Sequence, residues 1–318
     1  MKKFKNKTFL VLGGAGFIGS HFCDLLHEKG ANIICVDNLS LGSYENVEHL
    51  SKNKNFKFFK LDINKLEYES AVFNNKISTV IHLAANSDIA KSHADPNIDI
   101  KNTLNSTLSI LRLMRRKNIS EIIFASSSAV YGLHESNIHE NIGPLFPHSH
   151  YGAAKLASEA FISSYCENYS MKSWIIRFPN VIGNRCTHGV IYDFFNKIKS
   201  NSSILQVLGD GKQDKPYLYV NDLINGIIHF YLHTDEKINY VNLGTDTTTT
   251  VNKIIEIMKD VFEINPKIEY TGGSKGWVGD IPKFKYDLSK IYSLGWKSNL
   301  SSDAAVRETF KVLKDSWM

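Results

Sequence analysis

The chain has 318 residues, 43% of them hydrophobic and 22% charged, a composition typical of a globular protein long enough for two compact lobes. Its net charge of +5 comes mainly from scattered lysines, so we expect no nucleic-acid partner. No run of 18 apolar residues occurs, which argues against a membrane partner. The cysteines Cys23, Cys35, Cys166 and Cys186 form no CxxC pair, which predicts reduced thiols in the cytoplasm and no metal site.

The first predicted element is an apolar strand, residues 8–12, that runs into a glycine-rich turn. Gly13, Gly16 and Gly19 are spaced three apart, and a helix with an apolar face is predicted over 17–29. Glycines are required where a tight turn brings the backbone close to a pyrophosphate, and the helix N-terminus offers N–H groups to that anion. The segment therefore predicts a dinucleotide site.

The second predicted strand, residues 32–36, ends in an acidic residue, Asp37. A carboxylate at this strand end is placed to bind the adenosine ribose diol, and it would repel a 2′-phosphate. The pattern therefore predicts NAD, tightly bound as NAD+ or NADH, in preference to NADP.

The first half of the chain continues as alternating apolar strands and helical stretches, which predicts an α/β fold with a Rossmann-type doubly wound parallel sheet. The further strands are predicted at 56–60, 79–83, 121–126 and 173–178, and the further helices near 97–117 and 151–169. We assign residues 1–178 to this domain, with parts of 215–260 returning to it. Residues 179–318 are predicted to form mainly a smaller substrate-binding lobe.

A tyrosine and a lysine at helical spacing are candidates for proton transfer. Tyr151 and Lys155 are four residues apart, so both side chains lie on one helix face. Ionising a tyrosine near neutral pH requires about 4 kcal/mol, which a neighbouring ammonium and a positive nicotinamide ring together can supply. Ser127 follows a predicted strand, where open α/β sheets bind ligands. Taken alone, the pair also fits an exposed helix face.

These motifs resemble the extended short-chain dehydrogenase/reductases of the nucleotide-sugar epimerase/dehydratase family over nearly the whole chain. The resemblance is carried by residues 13–21, 37–40, 62–63, 82–85, 126–132, 151 with 155, 177–181, 209–213, 219–223, 279–280 and 294–296. It implies that Ser127, Tyr151 and Lys155 are catalytic.

The same resemblance implies two sets of binding residues. The implied NAD-binding residues are Gly13, Gly16, Phe17, Ile18, Asp37, Asn38, Ser40, Asp62, Ile63, Leu83, Ala84, Ala85, Asn102, Ala125, Tyr151, Lys155, Phe178 and Val181. The implied substrate-binding residues are Ser87, Ser92, Ser127, Ser128, Tyr151, Asn180, Val190, Gln206, Lys215 and Trp277.

The chain departs from the family pattern at positions that bear on the reaction. Ser128 and Ala129 occupy the positions where dehydratases carry an acidic pair, and neither can act as a strong acid or base. Lys215 and Trp277 stand where arginines are expected, and lysine lacks the bidentate fork with which arginine binds phosphate. These departures disfavour dehydration and leave the nucleotide open.

The predicted activity is oxidation at C4 of a nucleoside-diphosphate sugar, with 4-epimerisation through a transient 4-keto sugar favoured. The alternative is a 4-dehydrogenase that releases the 4-keto hexose or heptose, for example from a GDP sugar; a 4,6-dehydratase and a non-catalytic NAD(H)-binding protein are less favoured. Similar proteins pair as homodimers through a four-helix bundle. The stretches near 97–117 and 151–169 carry apolar positions for such a bundle, among them Ile100 and Phe161.

Overall fold

The computed structural model describes residues 4–67, 70–86, 89–134, 137–274, 276 and 281–317. The strands are β1 (Thr8–Leu12), β2 (Asn32–Asp37), β3 (Phe56–Lys60), β4 (Thr79–His82), β5 (Glu121–Ala125), β6 (Lys172–Arg177), β7 (Asn180–Ile182), β8 (Ile204–Val207), β9 (Asp214–Lys215), β10 (Tyr217–Tyr219), β11 (Ile238–Asn242), β12 (Thr249–Thr250) and β13 (Lys267–Tyr270).

The α-helices are α1 (Phe17–Glu28), α2 (Glu45–Glu48), α3 (Ile89–Ala94), α4 (Asn97–Asp99), α5 (Ser106–Lys117), α6 (His150–Tyr169), α7 (Val190–Ser200), α8 (Val220–His233), α9 (Val251–Phe262), α10 (Ser289–Ser293) and α11 (Ser302–Asp315). A π-helical turn, Ile100–Asn105, joins α4 to α5, and 3₁₀ turns occur at Ile63–Lys65, Ala71–Asn74 and Ser128–Val130. None of the helices in the described ranges is long and apolar enough to cross a membrane.

A seven-stranded sheet confirms the predicted Rossmann-type α/β fold. Its strand order is β3-β2-β1-β4-β5-β6-β11, and the pairs β1–β2, β2–β3, β1–β4, β4–β5 and β5–β6 are parallel. The chain leaves β1 towards one edge of the sheet and leaves β4 towards the other. The loops after these two neighbouring strands therefore diverge, and doubly wound sheets bind their ligands at such a switch point.

The central strands are continuous apolar runs because both faces of the sheet are covered. Every residue of β1 is buried, and β5 is buried after its first residue. Helix α1 packs its buried side chains Phe22 and Leu26 on one side of the sheet. The core around Phe124 also takes in Ile110 from α5 and Ile162 from α6.

The chain divides into two compact units that interleave along the sequence. The first contains Met1–Val130, Ser149–Arg177 and Ile227–Val241, and the second contains Tyr131–His148, Phe178–Gly226 and Asn242–Met318. The second unit has its own core, in which Phe194 of α7, Met258 of α9 and Phe310 of α11 are buried. Its short strands pair as β7–β10, β8–β13 and β9–β12.

Candidate active site

The turn between β1 and α1 is packed backbone against backbone. Gly13 has a φ of +78°, and a Cβ at this position would lie 2.8 Å from the backbone nitrogen of Ala84. A Cβ on Gly19 would lie 2.1 Å from the carbonyl oxygen of Gly13. Helix α1 begins after its N-cap, Gly16, and no side chain caps it. The backbone thus leaves room and N–H groups for a diphosphate, as NAD binding requires.

Asp37, at the end of β2, lies against this turn. Its Oδ2 accepts a hydrogen bond from the backbone N–H of Ala15 at 3.0 Å, and its Oδ1 accepts one from Leu39 at 2.8 Å. Burial raises the pKa of the Asp37 carboxyl, and these N–H bonds oppose the shift. The next residues, Asn38 and Ser40, are exposed at the same strand end. The carboxylate is thereby fixed beside the glycine turn.

The ends of β3 and β4 bring further predicted NAD-binding residues to this edge of the sheet. Asp62 follows β3 and accepts the backbone N–H of Asn64 at 2.9 Å, so that it caps the turn that contains Ile63. The backbone N–H groups of Leu83 and Ala84, after β4, both donate to the carbonyl of Leu12, at 3.0 and 2.9 Å. Ala85 follows them directly.

Asn102 does not join the buried groups of this edge. It lies on the exposed side of the π-helical turn, whereas its neighbour Thr103 is buried and its Oγ1 accepts the backbone N–H of Asn86 at 3.3 Å. The buried polar group contributed by this turn is therefore Thr103.

Ser127, Tyr151 and Lys155 come together where β5 ends beside the first turns of α6. Ser127 hydrogen-bonds to Tyr151, and its Oγ also accepts the backbone N–H of Ala129 at 3.2 Å. The Nζ of Lys155 lies 5.8 Å from the centre of the Tyr151 ring and donates to the carbonyl of Ala125 at 2.6 Å. Ser128 follows in the adjoining 3₁₀ turn. The arrangement places a phenol, a hydroxyl and a buried amine within one site.

Burial dominates the electrostatics of the site in the protein alone. Burial raises the pKa of Tyr151 to about 12, a hydrogen bond from Ser127 lowers it, and the charge of Asp99 raises it. Burial lowers the pKa of Lys155 to about 7, while Asp99 and Glu159 raise it. In the protein alone, burial is therefore the largest influence on the pKa of Tyr151, and it opposes ionisation. The positive charges of a protonated Lys155 and of a bound nicotinamide ring would favour the phenolate.

A buried carboxylate connects the strands and the helix that form this site. Glu159 on α6 accepts hydrogen bonds from the hydroxyl of Ser126 and from the guanidinium of Arg177, whose Nε and Nη2 lie 3.0 and 2.6 Å from its two oxygens. Both ions of this pair are buried. Ser126 precedes Ser127, and Glu159 lies one turn beyond Lys155. The pair therefore ties the ends of β5 and β6 to α6 beside the site.

Glu159→Ala is expected to lower the free energy of unfolding by about 3–5 kcal/mol, because it leaves the Arg177 guanidinium buried without its counter-ion. Urea denaturation measures this change. A matched control on the same helix is Glu167→Ala, which removes an exposed pair with Lys237 and is expected to cost about 1 kcal/mol or less. Equal losses in the two variants would contradict the structural role of Glu159.

The sequence patterns did not identify three buried polar groups. Asp99 and Thr103 are buried on the inner side of the helix that contains the π-helical turn. His82 is fully buried at the end of β4, where burial and the charge of Lys155 lower its pKa to about 3. A polar residue every fourth position, 99, 103 and 107, is the signal that could have revealed the inner face.

The predicted substrate residues of the second unit lie on several elements. Phe178 is buried before β7, in which Asn180 and Val181 pair with Tyr217 and Leu218 of β10. Lys215 ends β9, two residues before that paired segment. Val190 begins α7, and Gln206 is an exposed residue of β8. Strand pairing thus brings Asn180 and Lys215 into one neighbourhood, whereas Val190 and Gln206 stand on other elements.

The remaining predicted residues are partly outside the described ranges. Ser87 and Trp277 lie outside the described residues, and Ser92 is buried in α3. Within the described ranges, no group of three or more His, Cys, Asp or Glu side chains could hold a metal ion.

Comparison with known proteins gives a consistent result. The family model described as "NAD dependent epimerase/dehydratase family" matches residues 9–244. A provisionally assigned UDP-glucose 4-epimerase of Methanocaldococcus jannaschii is 32% identical over 315 residues, which cover 96% of this chain and 98% of that protein.

Solved structures agree over the full length. A crystal structure of UDP-galactose 4-epimerase has a TM-score of 0.86 and 31% identity, covering 97% of this chain and 99% of the other. The UDP-glucuronic acid 4-epimerase of Bacillus cereus, solved with UDP-glucuronic acid and NAD, has a TM-score of 0.87 and 25% identity, covering 97% and 99%.

Proposed function

The chain belongs to the NAD-dependent epimerase/dehydratase family, and from this premise we propose that it interconverts the C4 epimers of a UDP-linked sugar. It is an NAD-dependent enzyme of the extended short-chain dehydrogenase/reductase type. The observation that carries the proposal is the assembly of Ser127, Tyr151 and Lys155 at one strand end. The same edge of the sheet holds the glycine turn and Asp37, which fit a dinucleotide.

Each residue of this assembly has one task in the reaction. The Tyr151 phenolate takes the proton of the sugar's C4 hydroxyl, and Ser127 hydrogen-bonds to the reacting oxygen. Lys155 supplies a positive charge beside the phenolate. NAD held at the glycine turn and Asp37 would supply the acceptor and donor of the C4 hydride. After the 4-keto sugar has turned over, Tyr151 returns the proton to the oxygen at C4, so no proton is gained or lost over the cycle.

The residues next to Ser127 favour epimerisation over dehydration. Ser128 and Ala129 form the 3₁₀ turn that follows, and neither has an ionisable side chain that could remove the C5 proton or protonate a leaving hydroxyl. Ser128 and Ala129 therefore offer no acid or base that could dehydrate a 4-keto sugar formed in this site. Its reduction back to the alcohol is then the remaining step.

The nucleotide and the sugar are proposed from the relatives. The similar proteins act on, or were solved with, UDP sugars, which include UDP-glucose and UDP-glucuronic acid. We assign the second unit to the nucleotide end of the substrate, with Asn180 and Lys215 near the diphosphate. Lysine binds phosphate as a point charge, so the loss of arginine's bidentate fork is compatible with this role.

The test combines cofactor analysis with a substrate panel. Protein denatured after purification is analysed by mass spectrometry for NAD(H), and the native enzyme is incubated with UDP, GDP, dTDP and CDP sugars. We expect bound NAD and conversion of a UDP sugar to its C4 epimer with no accumulation of free NADH. Stoichiometric NADH with a released 4-keto sugar would establish the 4-dehydrogenase instead. Failure to convert any sugar, with NAD bound, would support a non-catalytic protein.

We further propose a homodimer that pairs the helices α4–α5 and α6 with those of a second copy. Two large apolar side chains of these helices are exposed in the single chain: Ile100 is 47% and Phe161 43% exposed. Ala153 and Ala160, also exposed on α6, are small enough to allow close approach of a second helix pair.

Sedimentation at micromolar concentration is expected to give a species near twice the chain mass of 35.9 kDa. Phe161→Glu is expected to give the single chain, because a charge would be buried in the helix pairing. Leu208→Glu, at an exposed apolar position of the second unit, is the control and should remain dimeric. A wild-type protein that sediments only as a single chain would overturn the pairing.

We propose that the protein acts in the cytoplasm. Its cysteines Cys23, Cys35, Cys166 and Cys186 are all free and buried, as a reducing compartment permits.

A further inference from the structure

A buried polar face runs along residues 99–107, in a helical stretch that packs against α6. Asp99, Thr103 and Thr107 follow one another at four-residue intervals, and all are buried. The Oγ1 of Thr107 lies 3.0 Å from the Nε2 of His82, and Asn86 donates its side-chain N–H to the Oδ1 of Asp99 at 3.0 Å. These contacts anchor the face to the end of β4 and to the chain that follows it. The π-helical turn occurs within this stretch, and such turns are frequent at functional sites.

Hydrogen bonds satisfy only one oxygen of the Asp99 carboxylate among the described residues. Its side chain is 0% exposed, and its Oδ2 has no hydrogen-bond partner among the residues that the structure describes. A carboxylate buried in this way is costly unless an opposite charge lies nearby. The turns at 97–105 pack against α6, and from there the charge of Asp99 acts on both Lys155 and Tyr151.

Lys155 is the buried cation on which the Asp99 carboxylate acts. Lys155 is 2% exposed, and its Nζ donates to the uncharged carbonyl oxygen of Ala125. The neighbouring Glu159 is already paired with Arg177, and His82 is neutral at physiological pH. Of the carboxylates in the described structure that act on Lys155, Asp99 is therefore the one not already committed to another cation.

Resting on the function proposed above, we propose that Asp99 is a positioning residue of the active site. Its buried carboxylate is the counter-charge that keeps Lys155 protonated beside Tyr151. Without it, desolvation would leave the lysine neutral, and a neutral amine cannot favour the phenolate. The same negative charge opposes ionisation of Tyr151, so its value to the site lies in holding the proton on Lys155.

The experiment follows the protonation of Lys155 directly. Protein labelled with 15N-lysine is titrated by NMR without sugar, and the Lys155 Nζ signal is identified by its loss in Lys155→Met. Asp99→Asn keeps the size of the side chain and an oxygen for Asn86. It is expected to lower the titration midpoint of Lys155 by about one pH unit or more. The basic limb of kcat against pH is expected to move down with it.

Two further variants separate charge from packing. Asp99→Glu restores the charge and is expected to bring the Lys155 midpoint back towards that of the wild type. Glu121→Gln is the control, since Glu121 is a carboxylate at the opposite end of β5 that bonds to Thr79 and Tyr231. It is expected to leave the midpoint unchanged.

The outcomes distinguish this proposal from the proposed function. A Lys155 midpoint equal in wild type and in folded Asp99→Asn would overturn the role of Asp99, whatever the turnover. A shifted midpoint in a protein that converts none of the sugars would refute the epimerase and leave the charge pairing established. If Asp99→Asn does not fold while Asp99→Glu does and keeps the wild-type midpoint, the need for a negative charge is supported.

Discussion

Tyr151→Phe is expected to lower kcat by about 10²–10⁴-fold, the usual contribution of a positioned acid–base group. The substitution removes one oxygen and leaves the ring, the helix and the bond from Ala129 to Ser127 in place. Retention of NAD, measured by mass spectrometry, and affinity for the sugar nucleotide, measured by calorimetry, should be nearly those of the wild type. The loss therefore belongs to turnover and not to binding.

The control for this variant is Tyr169→Phe on the same helix. Tyr169 packs its ring against Arg115, 4.2 Å from the guanidinium carbon, and phenylalanine keeps that ring. We expect wild-type turnover from the control. A Tyr151→Phe enzyme that epimerises its sugar at the wild-type rate would remove the mechanism and the main support for an enzymatic function.

Lys155→Met is expected to be at least as damaging, with a loss in kcat of about 10²–10⁴-fold or more, and its effects should be broader. The change removes the positive charge near the phenol and the bond to the carbonyl of Ala125 that fixes the end of β5. Because a neighbouring positive charge favours the phenolate, its removal is expected to shift the remaining activity to higher pH. Steady-state kinetics across pH measure the effect of the lost charge. The content of bound NAD, measured by mass spectrometry, shows whether the loss of the bond to Ala125 also disturbs the cofactor site.

Lys237→Met provides the comparison, because Lys237 belongs to the exposed pair with Glu167. Its pH profile and NAD content should match those of the wild type. If Lys155→Met kept both its NAD and the wild-type pH profile, Lys155 would be a structural lysine only.

Much of the first unit could be predicted because its strands are local apolar runs. Thr8–Leu12 and Phe56–Lys60 were predicted with the bounds that the structure has. The predictions for β2, β4 and β5 differ by one residue at one end, β6 is shifted by one residue, and β11 was not among the predicted strands. Parallel strands share one carboxyl edge, so the meeting of Gly13 with Ala84 and of Ser127 with Tyr151 follows from the order of the motifs.

The inner face of the helix before α5 could not be predicted in the same way. Usual patterning places apolar residues inward, whereas here Asp99 is buried and Ile100 is 47% exposed. The π-helical turn also changes the number of residues per turn, so a projection based on 3.6 residues misplaces Asn102 relative to Thr103. The pKa of Tyr151 depends on burial by segments far away in sequence, which no local spacing reports.

The Glu159 carboxylate has a consequence for how the site is acquired during folding. It bonds to Ser126, 33 residues earlier, and to Arg177, 18 residues later, so its partners meet only when β6 has docked beside β5. Contacts of such sequence separation form late, after the entropy of closing the intervening loops has been lost. We therefore expect Ser127, Tyr151 and Lys155 to come together in the same cooperative step that completes this side of the sheet. In a partly folded chain in which β6 has not docked, we expect α6 to form without the assembled site.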